Sequence, residues 1–212
     1  MLAPGLATML VVITTDARIE HGALQQALAN ATGSTFDRID SDGCMSTNDT
    51  VIAMSSGACE TDVDLKEFAA AMHTVCGNLA RQLIGDAEGA SKDIKITVSG
   101  AANERDAVEV ARAVSRSNLL KCAIHGEDPN WGRVLSAVGT TTAQFEADAI
   151  GVDFNGVAVC RSGAALDDEP VVDLSAIEVA IDITLGAGSA SATLWTNDLT
   201  AMYVHENSAY ST

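Results

Sequence analysis

The tightest constraint in the chain lies in residues 177–185. Ile177, Val179, Ile181, Ile183 and Leu185 alternate with Glu178, Ala180, Asp182 and Thr184. A strict period of two suits a β-strand with one covered face. Gly186-Ala187-Gly188 follows and turns that strand towards a partner at residues 190–195. Val152-Asp153-Phe154, Asn155-Gly156 and Val157-Ala158-Val159 add a hairpin, because Asn-Gly accepts the positive φ angles of a type I′ turn. At least one antiparallel sheet is therefore expected, and its apolar face needs a cover.

Helices supply that cover. From Asp64 to about Ile84, Leu65, Phe68, Met72, Val75/Cys76, Leu79 and Leu83 recur at three- and four-residue spacing, which predicts a helix with one apolar face. Glu20 to Asn30 has helical composition and ends near Thr32-Gly33. Asn103 caps a helix carrying Val108, Ala111 and Val114, and Asp128-Pro129-Asn130 starts one carrying Val134, Leu135 and Val138. Met9–Ile13 reads as a strand buried on both faces, and Thr50–Met54 and Ile94–Val98 read as further strands. A helical region gives way to a β-richer one near Ser91, where a domain boundary is expected. The fold class is thus mixed α/β. With 4% aromatic residues the core must come from Ala, Val, Ile and Leu, and 47% apolar content excludes a disordered chain.

Charge narrows the function. A formal net charge of −17, with 29 acids against 12 bases, repels phosphate backbones, and no Lys/Arg stripe compensates, so nucleic-acid binding is not expected. No apolar stretch reaches membrane-spanning length, and no Lys or Arg precedes Arg18, so the opening run is not read as an export signal. Five widely spaced cysteines without a C-x-x-C, and four histidines without ligand spacing, argue against a disulfide framework or a zinc site. Reduced, mostly buried thiols in the cytoplasm fit better. The spacing favours no cysteine–histidine nucleophile, and there is no G-x-S-x-G elbow, Walker A loop or H-E-x-x-H.

Four short polar segments remain: Ala7-Thr8; Ser46-Thr47-Asn48-Asp49-Thr50; Asp86-Ala87-Glu88-Gly89; and Asp128-Pro129-Asn130-Trp131-Gly132-Arg133. Singly, each has a local explanation: a strand edge, an Asx-rich turn, a helix end, and a helix start with a packed Trp. In this order they are distinctive. MLAPGLATML, TFDRIDSDGCMSTNDTV, DAEGASK, DPNWGRVLSAVG and ENSAYST together resemble ornithine acetyltransferase, the glutamate N-acetyltransferase family of arginine biosynthesis. The resemblance spans essentially the whole chain.

That resemblance implies a layered α-β-β-α sandwich of the N-terminal-nucleophile-like type with a smaller C-terminal α/β domain. Residues 1–7 would be the tail of an α half removed by self-cleavage, 8–91 part of the catalytic sandwich, and 92–212 the C-terminal domain. It implies cleavage between Ala7 and Thr8, with Thr8 then the nucleophile, and substrate contacts from Glu88, Asn207 and Thr212. Acetyl would pass from N-acetylornithine to Thr8 and on to glutamate in a ping-pong cycle without metal or cofactor. Some members also accept acetyl-CoA. The expected partner is the complementary α chain, in an α2β2 heterotetramer that binds no membrane. The family's N-terminal half, which supplies the oxyanion hole, is not in this sequence.

Asp128 and Asn130 are assigned to capping, Arg133 to pairing, Asn48 and Asp49 to a turn, and His125 and His205 receive no role. Two alternatives stay open. The chain could be a non-catalytic subunit or fragment that binds its complementary half, or a related N-terminal-nucleophile hydrolase or acetyltransferase with another substrate.

Overall fold

The computed structural model describes residues 9–44, 47–168 and 170–209. It divides into two compact units, Met1–Ile84 and Gly85–Thr212. It is a mixed α/β layered fold. Among the described residues, no helix is long and apolar enough to cross a membrane.

In the first unit, β1 (Leu10–Thr15) and β2 (Thr50–Ser55) form a parallel pair, Leu10 opposite Thr50 and Val12 opposite Ile52. A parallel pair needs a long crossover, and α1 (His21–Ser34) lies within it. The helix ends at Ser34, one residue past the expected Thr32-Gly33 end. The last helix of the unit, α2 (Leu65–Gly85), buries Met72, Cys76, Ala80 and Ile84. This row is narrower than the expected stripe, with Leu65 and Val75 exposed. Strand β1 is not buried on both faces. Val11 is buried, but Leu10 and Val12 are 75% and 60% exposed. The apolar run specifies an environment that a two-stranded sheet cannot supply.

The second unit holds a six-stranded sheet and the main core. Its strands are β3 (Asp93–Ala101), β4 (Gly151–Phe154), β5 (Val157–Arg161), β6 (Ala164–Ala165), β7 (Glu178–Thr184) and β8 (Ala190–Asn197), in the order β6-β5-β4-β7-β3-β8. The alternation in β7 is realised. Val179, Ile181 and Ile183 are buried while Glu178, Asp182 and Thr184 are exposed. Each such buried aliphatic side chain stabilises the fold by about 2 kcal/mol. The Asn155-Gly156 turn has φ of 48° and 77°, as the type I′ hairpin requires.

The expected pairing of β7 with β8 does not occur. Strand β3 lies between them, parallel to β7 and antiparallel to β8. The glycine-rich connection crosses the end of β3, where Ala187 and Gly188 donate their N–H groups to Gly100 O at 2.7 and 2.9 Å. The period of two fixes which side chains face the core, but it does not name the neighbouring strand.

Helices α3 (Glu104–Ser115), α4 (Asn118–His125) and α5 (Trp131–Val138) complete the core, and α6 (Ala201–Ser208) follows β8. Asn103 caps α3 by accepting from Asp106 N at 2.9 Å, and Asn130 caps α5 by accepting from Arg133 N at 3.1 Å, both as expected. Helix α4, which no expectation from the sequence covers, is capped by Ser117 accepting from Leu120 N. Of the five free cysteines only Cys76 and Cys160 are buried, so the thiols are not mostly buried. Burial pushes both of these thiols up, which makes them poor nucleophiles.

Candidate functional site

Of the residues the resemblance singles out, Ala7, Thr8 and Thr212 lie outside the described residues, while Glu88 and Asn207 lie within the second unit. The segment between α2 and β3, residues 86–92, carries Glu88. Its shape comes from Gly89, whose φ is +66°. A Cβ there would stand 2.4 Å from Tyr203 N and 2.7 Å from the Met202 carbonyl carbon. No other residue permits that approach of loop to helix. The loop therefore rests on the first turn of α6.

Helix α6 begins where it does because Thr200 caps it. Thr200 Oγ1 accepts from Tyr203 N at 2.9 Å and donates to Gly89 O at 2.5 Å. One hydroxyl thus starts the helix and ties it to the loop. One turn later, Asn207 donates from Nδ2 to Tyr203 O at 2.9 Å. Glu88 and Asn207 accordingly share one corner of this unit, joined through the contact of Gly89 with Tyr203. Both are exposed. Among the described residues Glu88 makes no hydrogen bond, so its carboxylate is available to a cationic group.

The loop is anchored on its other side by a cluster that sequence reasoning missed. Asp198 Oδ1 accepts from Ser91 N at 2.8 Å and Lys92 N at 2.9 Å. Its Oδ2 accepts from Ser91 Oγ at 2.5 Å and lies 2.9 Å from His125 Nδ1. The Asp198 side chain is fully buried. Burial alone would raise its carboxyl, but the bonds from Ser91, the Lys92 N–H and His125 hold it below the usual carboxylate range.

Serine, histidine and aspartate are thus in contact, yet not as a catalytic triad. A triad's base uses one ring nitrogen for the aspartate and the other for the serine. Here Ser91 Oγ and Asp198 both lie at Nδ1, with Ser91 3.2 Å from it, and the hydroxyl gives its proton to the carboxylate. The arrangement holds a loop and does not activate a nucleophile. No local signal marks it, since Ser91, His125 and Asp198 meet only through tertiary structure.

Lys92, the last residue of DAEGASK, is buried and structural. Its Nζ donates to the carbonyls of Leu174, Ser175 and Ala176 at 2.6–3.0 Å and to Glu127 Oε1 at 3.1 Å. The motif thus divides by role, with Asp86 and Glu88 exposed and Lys92 buried.

Asp49, expected to fix a turn, also holds Met9. Asp49 Oδ1 accepts the Met9 N–H at 2.7 Å, and Thr50 N donates to Met9 O at 2.8 Å. Both peptide groups of the residue following Thr8 are therefore held. In the Asp128–Arg133 segment, Asn130 donates to Asp128 Oδ2 at 3.0 Å, while Arg133 donates to Leu119 O at 2.6 Å and pairs with no acid among the described residues. A groove of about 590 Å³ beside this helix start is lined by Asp128, Trp131, Leu166 and Asp167 among others, with no serine, cysteine or histidine among the described residues. Among the described residues, no three His, Cys, Asp or Glu side chains are grouped to hold a metal ion.

Comparison with known proteins places this geometry in context. The sequence model of the ArgJ family matches residues 1–212. The chain is 64% identical over 211 residues to the arginine biosynthesis bifunctional protein ArgJ of Streptomyces avermitilis, covering 100% of this chain and 55% of that protein. It is 59% identical over 212 residues to the ArgJ of Thermobifida fusca, again covering 55% of that protein. The ArgJ of Mycobacterium tuberculosis is 50% identical over 211 residues, with 52% of its length covered. The chain thus spans about half the length of the curated relatives it matches. A crystal structure of the arginine biosynthesis bifunctional protein argJ from Bacillus halodurans superposes with a TM-score of 0.89 at 36% identity. That match covers 96% of this chain and 100% of the solved one.

Proposed function

The chain belongs to the ArgJ family, and from that premise we propose that it carries the nucleophile of an acetyltransferase moving acetyl from N-acetylornithine to glutamate. The reading rests above all on whole-chain kinship with proteins named for arginine biosynthesis. The corner that gathers Glu88 and Asn207 supports it, as does the anchoring of Met9 by Asp49.

In the proposed maturation, Thr8 Oγ attacks the Ala7 carbonyl carbon. The peptide C–N bond breaks, the Thr8 amine takes up a proton, and water hydrolyses the resulting ester. Residues 1–7 then end in a free carboxylate at Ala7, and Thr8 becomes an amino terminus. A free α-amine titrates at about 7.7–8.0 and can serve as base near neutral pH.

In turnover that amine takes the Thr8 hydroxyl proton while Oγ attacks the acetyl carbonyl of N-acetylornithine. The C–N bond breaks, and ornithine leaves with the proton. The glutamate amine then attacks acetyl-Thr8 and restores the hydroxyl. Glu88 holds the substrate's side-chain ammonium, and Asn207 and Thr212 bind its polar ends. The cycle asks for no metal or cofactor, and acetyl-CoA would serve as an alternative donor through the same acetyl-enzyme. We place the reaction in the cytoplasm, in an α2β2 assembly with a complementary α chain. Each oxyanion donor that this α chain brings contributes about 10²–10³ in rate, so this chain alone should be nearly inactive.

The test is co-expression with the coding region upstream of Met1, followed by intact-mass measurement and an assay of acetyl transfer. Loss of residues 1–7 and transfer to glutamate are expected, and Thr8→Ala should abolish both. A chain with exposed Thr8 and no transfer in the assembled protein would defeat the reading.

A specific observation favours a second reading, in which this chain's own property is to bind its complementary half. Leu10, Val12, Ile52 and Met54 are all exposed on one face of the β1–β2 pair, an apolar patch of the kind that marks an interface. Tight binding of the complementary segment by a Thr8→Ala chain would establish that property independently of catalysis.

A further inference from the structure

Glu88 has no side-chain partner among the described residues, so its position depends entirely on the backbone that carries it. That backbone is held from one short segment. Asp198 accepts four hydrogen bonds, from Ser91 N, Ser91 Oγ, Lys92 N and His125 Nδ1. Two residues on, Thr200 donates to Gly89 O and caps α6. The loop is therefore gripped immediately after Glu88 and again at Ser91 and Lys92, by the same stretch that starts the helix carrying Asn207.

We infer that Asp198, with Ser91 and His125, is a positioning set that fixes the Glu88 loop against α6 and so sets substrate affinity. The inference rests on the reading of Glu88 as the ligand of the substrate ammonium. The Asp198 side chain is fully buried, so its effect on substrate must pass through the loop. Bonds to a buried carboxylate are the strong kind, and losing one acceptor leaves several donors unsatisfied. A loosened loop spreads Glu88 over many positions. Substrate binding then has to order it, which weakens binding and leaves chemistry at Thr8 nearly unchanged. His125 contributes through Nδ1 and keeps its ring half exposed. Its role is to hold Asp198 and not to act as a base.

The experiment uses the assembled enzyme, this chain together with its complementary segment. KM for N-acetylornithine and kcat are measured for Ser91→Ala, Asp198→Asn, Glu88→Gln and the two doubles with Glu88→Gln. Asp198→Asn should raise KM about tenfold and Ser91→Ala about threefold, with kcat changing less than about twofold. Ser91→Ala keeps the Asp198 charge, which separates positioning from long-range attraction of a cationic substrate. In the Glu88→Gln background both KM effects should shrink to under about twofold, because residues acting through one group are not additive.

KM effects that persist at full size without the Glu88 carboxylate would overturn the inference. So would a fall in kcat at constant KM. A Glu88→Gln enzyme with unchanged KM gives a different result: it removes the substrate reading of Glu88, and this inference with it. If Asp198→Asn does not fold, the Ser91→Ala cycle decides alone.

Discussion

The two units are built to different standards of self-sufficiency. The second carries the contiguous core, in which Ile96, Val98, Val110, Phe154, Ile181 and Leu194 are fully buried between sheet and helices. Among its described residues the first pairs two strands, and it leaves Leu10, Val12, Ile52 and Met54 in the open. Their sequences differ much less than their burial does, since both hold short β-branched runs. The difference lies in what each unit can cover. Six strands and several helices seal an apolar face, whereas two strands cannot. The apolar run of β1 therefore does not by itself secure the two-sided burial its composition suggests.

The contrast between the units is open to direct measurement. The largest effect is expected in the second unit, where Phe154→Ala should cost about 3–5 kcal/mol in urea unfolding, because it removes a ring from a sealed core. Asp198→Asn comes next, at about 2–3 kcal/mol, and should also change the pH dependence of stability. The folded Asp198 carboxyl titrates below its unfolded value. Its stabilisation is therefore complete above the unfolded pKa of about 4 and is lost as pH falls through the lower folded value. Thermal melts across the acid range should show that loss in the native chain and a flatter acid limb in the variant.

Gly89→Ala should cost about 1–3 kcal/mol, since the new methyl meets the α6 backbone at a φ that alanine resists. Faster amide exchange along α6 would be the accompanying sign, and unchanged exchange would sever the proposed link between loop and helix. In the first unit, Asp49→Ala removes the acceptor for the Met9 N–H and should cost about 1 kcal/mol. It should also slow the proposed cleavage at Ala7–Thr8, with Asp49→Asn restoring most of the rate.

The smallest effect is the most telling. Val12→Ser should change the stability of this chain alone by less than about 0.5 kcal/mol, since the side chain is already exposed. The same substitution should weaken assembly with the complementary segment severalfold. A large destabilisation of the isolated chain would end the contrast between the units.

Much of the secondary structure was legible because local rules decide it. Asn103 and Asn130 cap helices through bonds three residues long, and Asn155-Gly156 turns a hairpin through its own φ angles. The alternation in β7 told which side chains would be buried, but not that β3 would separate β7 from β8. A strand's face is written in its own residues, and its neighbour is chosen by all the strands at once.

The candidate site divides in the same way. Glu88 and Asn207 were reached through family motifs, and the loop and helix that carry them do meet. Asp49 reads locally as a turn residue, while its bond to Met9 joins groups forty residues apart, and Asp198, Ser91 and His125 carry no local mark at all. The buried face of β7, the caps, the hairpin turn and the family are all legible in the sequence, because each depends on residues close together or on motifs read in order. Only the tertiary structure decided the strand neighbours, the open face of β1 and the carboxylate that grips the Glu88 loop. Those features depend on groups far apart in the chain, whose meeting is fixed by which surfaces the whole fold can cover.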